Sequence, residues 1–180
     1  MKHTVIKTFT AWEFDKEEKW LNDMAAKGLH LCKVGPFKYV FEEGLPGEYV
    51  YRMELLDNQP KHQKSIQYIS FIEDTGAEKI GSLSRWVYFR KKTDGGAFDL
   101  YSDIDSRIKH LDKIIAIPCT LLGLFIINGI AQLSTWLRLG RSLNLILLIE
   151  YLLLGSLTVY GLIRMLKKRK KLYKEKILHE

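Results

Sequence analysis

Residues 114–133, IIAIPCTLLGLFIINGIAQL, run for twenty positions without an ionisable side chain. A helix rising ~1.5 Å per residue covers the ~30 Å hydrocarbon core of a bilayer in roughly twenty residues. The stretch therefore predicts a membrane-spanning helix. Residues 143–165, LNLILLIEYLLLGSLTVYGLIRM, predict a second, with Glu150 inside it and Arg164 at its edge. Residues 134–142 leave room for an external turn only, in which Trp136 suits an interfacial anchor. Residues 166–180, LKKRKKLYKEKILHE, form a basic tail. The last third of the chain reads as a transmembrane helical hairpin.

Charge is distributed accordingly. Residues 1–113 hold 18 Lys+Arg and 18 Asp+Glu, whereas residues 114–180 hold 10 and 3, which is the whole of the net +7. A basic chain ordinarily raises nucleic acid as a partner, but here the excess flanks a span, where Lys and Arg set orientation. Lys167, Lys168, Arg169, Lys170 and Lys171 are expected at the membrane surface among anionic headgroups, as are Arg107, Lys109 and Lys113 before the first span. Both termini are then expected in the cytoplasm, with the lipid bilayer as partner and no nucleic acid. The first residues, MKHTVIKTFTAWEF, contain no apolar run of signal-peptide length, so no export is expected. Cys32 and Cys119, one in each part of the chain, fit a reducing compartment better than a disulfide.

Residues 1–92 read as one soluble α+β domain, joined to the first span by residues 93–113. Residues 3–9 (HTVIKTF) suit a strand. Asp15, with Glu18 three positions on, suggests a capping box. Trp20, Leu21, Met24 and Ala25 then recur at helical spacing up to Gly28, a left-handed terminator. Strands are expected at 29–34, 37–43 and 48–56, a helix at 61–75 ending on Gly76, and strands at 77–82 and 85–91. The two halves look related at an offset of 48 residues, pairing Trp20, Leu21 and Met24 with Tyr68, Ile69 and Ile72, Gly28 with Gly76, and Phe41 with Phe89. The expected fold is an antiparallel sheet with two helices on one face, suggestive of a tandem strand-helix-strand-strand repeat. In the joining segment, Leu100, Ile104, Ile108 and Leu111 have helical spacing, so the first span is expected to continue a cytosolic helix.

Chemistry-bearing motifs are sparse. His30 and Cys32, two apart on a strand, could begin a metal site, but no third or fourth ligand accompanies them. Asp103 and Asp105 resemble a paired-acid metal motif, although capping of the following helix is the simpler role. No phosphate-binding glycine loop, nucleophile elbow or zinc-protease helix occurs. His3, His62 and His179 sit in settings expected to be exposed. No cofactor, metal or catalytic residue is therefore assigned. Tyr39, Phe41, Tyr49, Tyr51, Trp86 and Tyr88 crowd onto the expected strands, where they build either core or an amphipathic surface for a ligand or partner. Glu150 is an intramembrane acid, costly at mid-bilayer by about 2.5–3.5 kcal/mol. Asn128 or Gln132 on the facing helix would relieve it.

The segments WLNDMAAKGLHL, VGPFKYVFEEGLPGEYVYRMELL, ISFIEDTGAEKIGS, RWVYFRKK and FDLYSDIDSRIKH resemble the bacterial domain-of-unknown-function family 2812, over roughly residues 1–112. That resemblance implies a bacterial cell-membrane protein, often encoded beside PadR-type regulators and tied to stress response, with no established reaction. By order of elements alone, the halves are also similar to the drug-binding domains of the gyrase-inhibitor type. The expected function is a non-enzymatic, membrane-anchored cytosolic sensing or adaptor module. It would bind a small amphipathic ligand or a protein partner, and homo-oligomerisation is open to it. The alternatives are a membrane-surface enzyme or a transporter's accessory subunit.

Overall fold

The computed structural model describes residues 1–101 and 103–179, the last without its side chain, so the expected exposure of His179 lies outside the described residues. The chain forms two units, Met1–Ser106 and Arg107–Glu180.

In the first unit the elements are β1 (Lys2–Ile6), α1 (Phe14–Ala25), β2 (Leu29–Gly35), β3 (Lys38–Glu43), β4 (Tyr49–Leu55), α2 (Gln63–Asp74), β5 (Ala77–Leu83) and β6 (Trp86–Lys92). The strands make two three-stranded antiparallel sheets, in the orders β1-β3-β2 and β4-β6-β5. Each half of this unit is thus a strand-helix-strand-strand repeat whose last strand lies in the middle of its sheet. The repeat extends to irregularities. Both ladders shift register 48 positions apart, between Leu31 and Lys33 and between Lys79 and Gly81. Gly28 and Gly76 both take positive φ, 78° and 86°, just past their helices.

The helices lie on opposite faces of the second sheet, not on one face of a common sheet. The reason is β6, where Val87, Tyr88 and Phe89 are all buried. Tyr88 joins a core with Leu21, Ala25, Leu31, Phe41, Tyr51 and Met53, packed under α1. Val87 and Phe89 join Ile69, Ile72 and Ala77 under α2. A strand apolar on both sides has to be covered on both.

The start of α1 also differs from the expectation. A 3₁₀ turn, Ala11–Glu13, precedes it, and the Glu13 carboxylate accepts from the backbone N–H and the hydroxyl of Thr10 at 3.3 and 2.9 Å. The capping pair is therefore Thr10 and Glu13, not Asp15 and Glu18, because two aromatic residues, Trp12 and Phe14, must be turned inward before the helix begins. Glu18 is used elsewhere: it accepts the Met53 N–H at 3.0 Å. Asn22, one turn on, accepts the Tyr51 N–H at 2.9 Å and donates to the Tyr51 carbonyl at 3.1 Å. Side chains of α1 thereby satisfy the open edge of β4, which no strand covers.

The second unit contains two long helices. α3 (Ile104–Leu139) spans 36 residues, beginning inside the first unit, and α4 (Ser142–His179) spans 38. Both are long and apolar enough to cross a membrane. α3 runs unbroken from the cationic segment into the apolar one, as the spacing of Ile104, Ile108 and Leu111 predicts. It continues through Trp136 to Leu139, so the reversal is confined to Gly140, at φ 62°, and Arg141. At ~1.5 Å per residue each helix exceeds ~50 Å, well beyond a hydrocarbon core. Near the opposite end from the reversal, Arg169 grips Asp112 by two bonds of 2.6 and 3.3 Å.

Candidate functional site

Glu17 sits in the first turn of α1, on the same stripe as Leu21 and Met24, and is only 7% exposed. Tyr39, from the central strand of the first sheet, donates its hydroxyl to Glu17 Oε1 at 2.6 Å. Tyr88, from the central strand of the second, donates to the same oxygen at 2.7 Å. One carboxylate thus ties both halves of the repeat to one helix. Among the described residues no cation pairs with Glu17 and Oε2 accepts no hydrogen bond. Burial holds the Glu17 carboxyl above its ordinary value, more strongly than the two hydroxyls lower it. Burial, with the carboxylate alongside, likewise raises both phenols.

Aromatic rings surround this centre. Trp20 lies edge-on to Tyr39, centroids 4.9 Å apart, and to Phe41 at 5.5 Å. Phe9 packs against Trp20 at 5.6 Å. Phe14 and Trp86 stack at 5.8 Å, both half-buried. The Lys7 ammonium rests over two of these rings, 4.6 Å from Trp20 and 5.2 Å from Phe9. The ring surface already accepts a cation.

The aromatic residues singled out in the sequence divide between two roles. Tyr39, Phe41, Tyr51 and Tyr88 are all within 4% of complete burial. They present no ring face to solvent, whereas Tyr49 and Trp86 are half-buried. The Tyr51 hydroxyl accepts the Leu31 N–H at 2.8 Å, bridging the sheets. Tyr49 lies under Arg90 at 4.3 Å, beside a polar pocket of about 340 Å³ that Glu78, Lys92 and Asp94 also line. Arg90 is bonded to Glu78 at 2.8 Å. Glu17 is not among the residues that motif and spacing single out, although its position carries a signal. It falls four residues before Leu21 and seven before Met24, an acid on the apolar stripe. A second buried acid, Glu54, accepts the hydroxyl of Tyr101.

The metal-like pairs take structural partners. The His30 ring meets the Leu45 carbonyl at 2.9 Å, while the Cys32 thiol, at the register shift, reaches the Val40 carbonyl at 3.3 Å. The shift breaks the alternation that would have set the two on one face. Asp103 caps α3, accepting the Ser106 N–H at 2.7 Å and hydroxyl at 2.9 Å. No group of three metal-ligating side chains occurs among the described residues. His3 bonds Glu43 at 2.7 Å, and the ring of His62 caps α2 by accepting the Lys64 N–H at 3.3 Å.

In the hairpin, the Asn128 amide donates to its own helix, at the Leu124 carbonyl, 2.8 Å. Glu150 is exposed and makes no hydrogen bond among the described residues, so the expected bond from Asn128 or Gln132 within the chain is absent. Of the tail cations, Arg169 is engaged by Asp112 and by the Tyr173 ring at 5.0 Å. Lys171 lies 3.8 Å from Glu175, while Lys167 and Lys170 are respectively exposed and exposed.

A family model described as a protein of unknown function (DUF2812) matches residues 13–123, from the last residue before α1 into the apolar part of α3. No curated protein and no solved structure matches the chain.

Proposed function

The chain belongs to the DUF2812 family, and from that premise, which brings no reaction with it, we propose a membrane-anchored cytosolic sensing or adaptor module that binds a small amphipathic ligand and catalyses nothing. The observation that carries the reading is the Glu17 carboxylate. A carboxylate drawn away from water is costly unless it is paired, and the two phenols answer only one of its oxygens. A ligand with a cationic or donating head could complete that pair. Its apolar body would lie among Phe9, Phe14, Trp20 and Trp86, in the manner of the Lys7 ammonium over its two rings.

Two further features support the anchor. The helices of the second unit are long and apolar enough to cross a membrane. The run from Lys167 to Lys171 lies beyond the second apolar stretch, where cations favour the cytosolic side. Acting at the inner leaflet would suit a ligand that partitions into lipid.

The test uses intact protein in detergent, with tryptophan fluorescence as readout. An aromatic quaternary-ammonium probe, its neutral isostere and its carboxylate counterpart are titrated in turn. Saturable binding of the cation, weakened about tenfold or more in Glu17→Gln, corresponding to about 1.4 kcal/mol, is the expected result. Equal response to all three, or none to any, would overturn the reading.

A further inference from the structure

The membrane hairpin has two faces of different character. Gly129 of α3 meets α4 directly: a Cβ placed there would lie 3.9 Å from Leu148 Cδ1 and from Tyr151 Cβ. Residues 129 and 151 therefore face one another at one depth. Successive residues turn by about 100° around a helix, so the residues following these two, Ile130 and Leu152, turn to one flank. There they line an apolar groove of about 360 Å³ between the helices. The residues preceding them, Asn128 and Glu150, turn to the other flank. Because the helices run in opposite directions and share the groove on one side, these two also share a side.

Asn128 and Glu150 are both exposed on this second flank. They lie one residue from the facing pair 129 and 151, hence within about one helical rise, ~1.5 Å, of that common depth. Their chemistry is complementary, since a carboxamide N–H donates and a carboxylate accepts. Asn128 Nδ2 gives one of its two N–H groups to its own helix and keeps the other, and Glu150 makes no hydrogen bond among the described residues. A carboxylate left facing hydrocarbon calls for a partner at its own depth.

We propose that two copies of the chain associate through this flank about a two-fold axis normal to the membrane, Asn128 of each donating to Glu150 of the other. The symmetry makes the match. A two-fold axis facing this flank sets α3 of one copy against α4 of the other, and it preserves depth. The same operation that brings Asn128 to Glu150 brings Glu150 to Asn128, giving a self-complementary interface. Interhelical bonds of this kind hold membrane helices together where no hydrophobic force acts between them. The groove side, mostly apolar and with Tyr151 and Ser156 as its residues that carry a hydroxyl, stays outward. This inference rests on the hairpin lying in a membrane.

The experiment uses full-length chains with Cys32→Ser and Cys119→Ser, expressed in membranes, one carrying Asn128→Cys and the other Glu150→Cys. A mixed pair keeps one Asn128–Glu150 bond and sets the two new thiols together at the other. Mild oxidation is expected to give a dimer band in co-expressed chains and none with either chain alone. Adding Glu150→Leu to the Asn128→Cys chain should abolish that band, whereas Glu150→Gln, which still accepts from an amide, should retain it. Protein that stays in the alkali-washed membrane pellet but gives no mixed dimer overturns the dimer alone. The same holds for equal bands with either variant alone, for cross-links only to a different protein, or for a disulfide only within a chain carrying both cysteines. Protein recovered outside the pellet overturns the anchor, and the dimer with it.

Discussion

Glu17 and Tyr88, 71 residues apart in sequence, meet at 2.7 Å and join the first helix of one repeat to the central strand of the other. Tyr39 completes the same contact from the first repeat at 2.6 Å. Hydrogen bonds to a buried charged acceptor are worth about 1.5–3 kcal/mol. Tyr88→Phe and Tyr39→Phe are each expected to destabilise the first unit by an amount in that range. The thermal midpoint of near-ultraviolet circular dichroism, taken on intact protein in detergent, reads this directly. Unchanged midpoints in both would mean that the carboxylate is already neutral or solvated.

The raised Glu17 carboxyl has a definite consequence with pH. Above its ordinary value of 4.5 the unfolded chain releases this proton while the native chain still holds it. Native Glu17 then binds more protons than unfolded, so its contribution to stability falls as pH rises through that window. Each unit of separation corresponds to about 1.4 kcal/mol. Glu17→Gln keeps an acceptor for the phenols and removes the titration. Its midpoint relative to the native protein should therefore climb with pH from about 4.5 upward. Glu13 and Glu43, lowered by Lys16 and His3 respectively, act in the opposite sense, but they are common to both proteins and cancel in the difference. Parallel curves for the two proteins would refute the assignment.

The two glycines that end the helices distinguish backbone strain from crowding. Gly76→Ala meets only the Lys91 side chain, at 3.8 Å, so the left-handed backbone alone should cost about 1–2 kcal/mol. Gly28→Ala bears that cost and also drives its Cβ to 2.7 Å from the Gly44 carbonyl. Thermal melts should rank Gly28→Ala clearly below Gly76→Ala, and the reverse order would contradict the geometry.

Asn22 serves an edge strand. Asn22→Ala leaves the N–H of Tyr51 without a partner, whereas the Tyr51 carbonyl keeps the Arg52 guanidinium at 3.0 Å, a loss of about 1–3 kcal/mol for one group left unsatisfied. Hydrogen exchange resolved at Tyr51 should accelerate in this variant while the central strand β6 keeps its protection. Uniform acceleration across the unit would assign Asn22 to general packing instead.

Much of this architecture is written locally. The strands, both helices, Gly28, Gly76 and the 48-residue offset follow from spacing and turn chemistry, because each records a demand of the backbone at its own position. What depends on distant partners is not written locally. Phe89 and Tyr88 look alike as strand aromatics, and only the packing of α1 and α2 assigns them to different cores. Asp15 and Glu18 have the spacing of a capping box, yet the inward turn of Trp12 moves the cap back to Thr10. Glu17 depends on distant partners most of all: an acid on an apolar stripe reads as an interruption until two tyrosines from separate sheets converge on it. In the hairpin, helical periodicity fixes which flank Glu150 occupies, but a contact with another chain leaves no mark in the spacing of one.

The most direct measurement of the account is the partition of the full-length protein after cell lysis. Membranes are sedimented, washed with alkaline carbonate and then dissolved in detergent. The helices Ile104–Leu139 and Ser142–His179 predict a protein that survives the wash in the pellet and is released only by detergent. A monodisperse species left in the supernatant without detergent would contradict the account at its base.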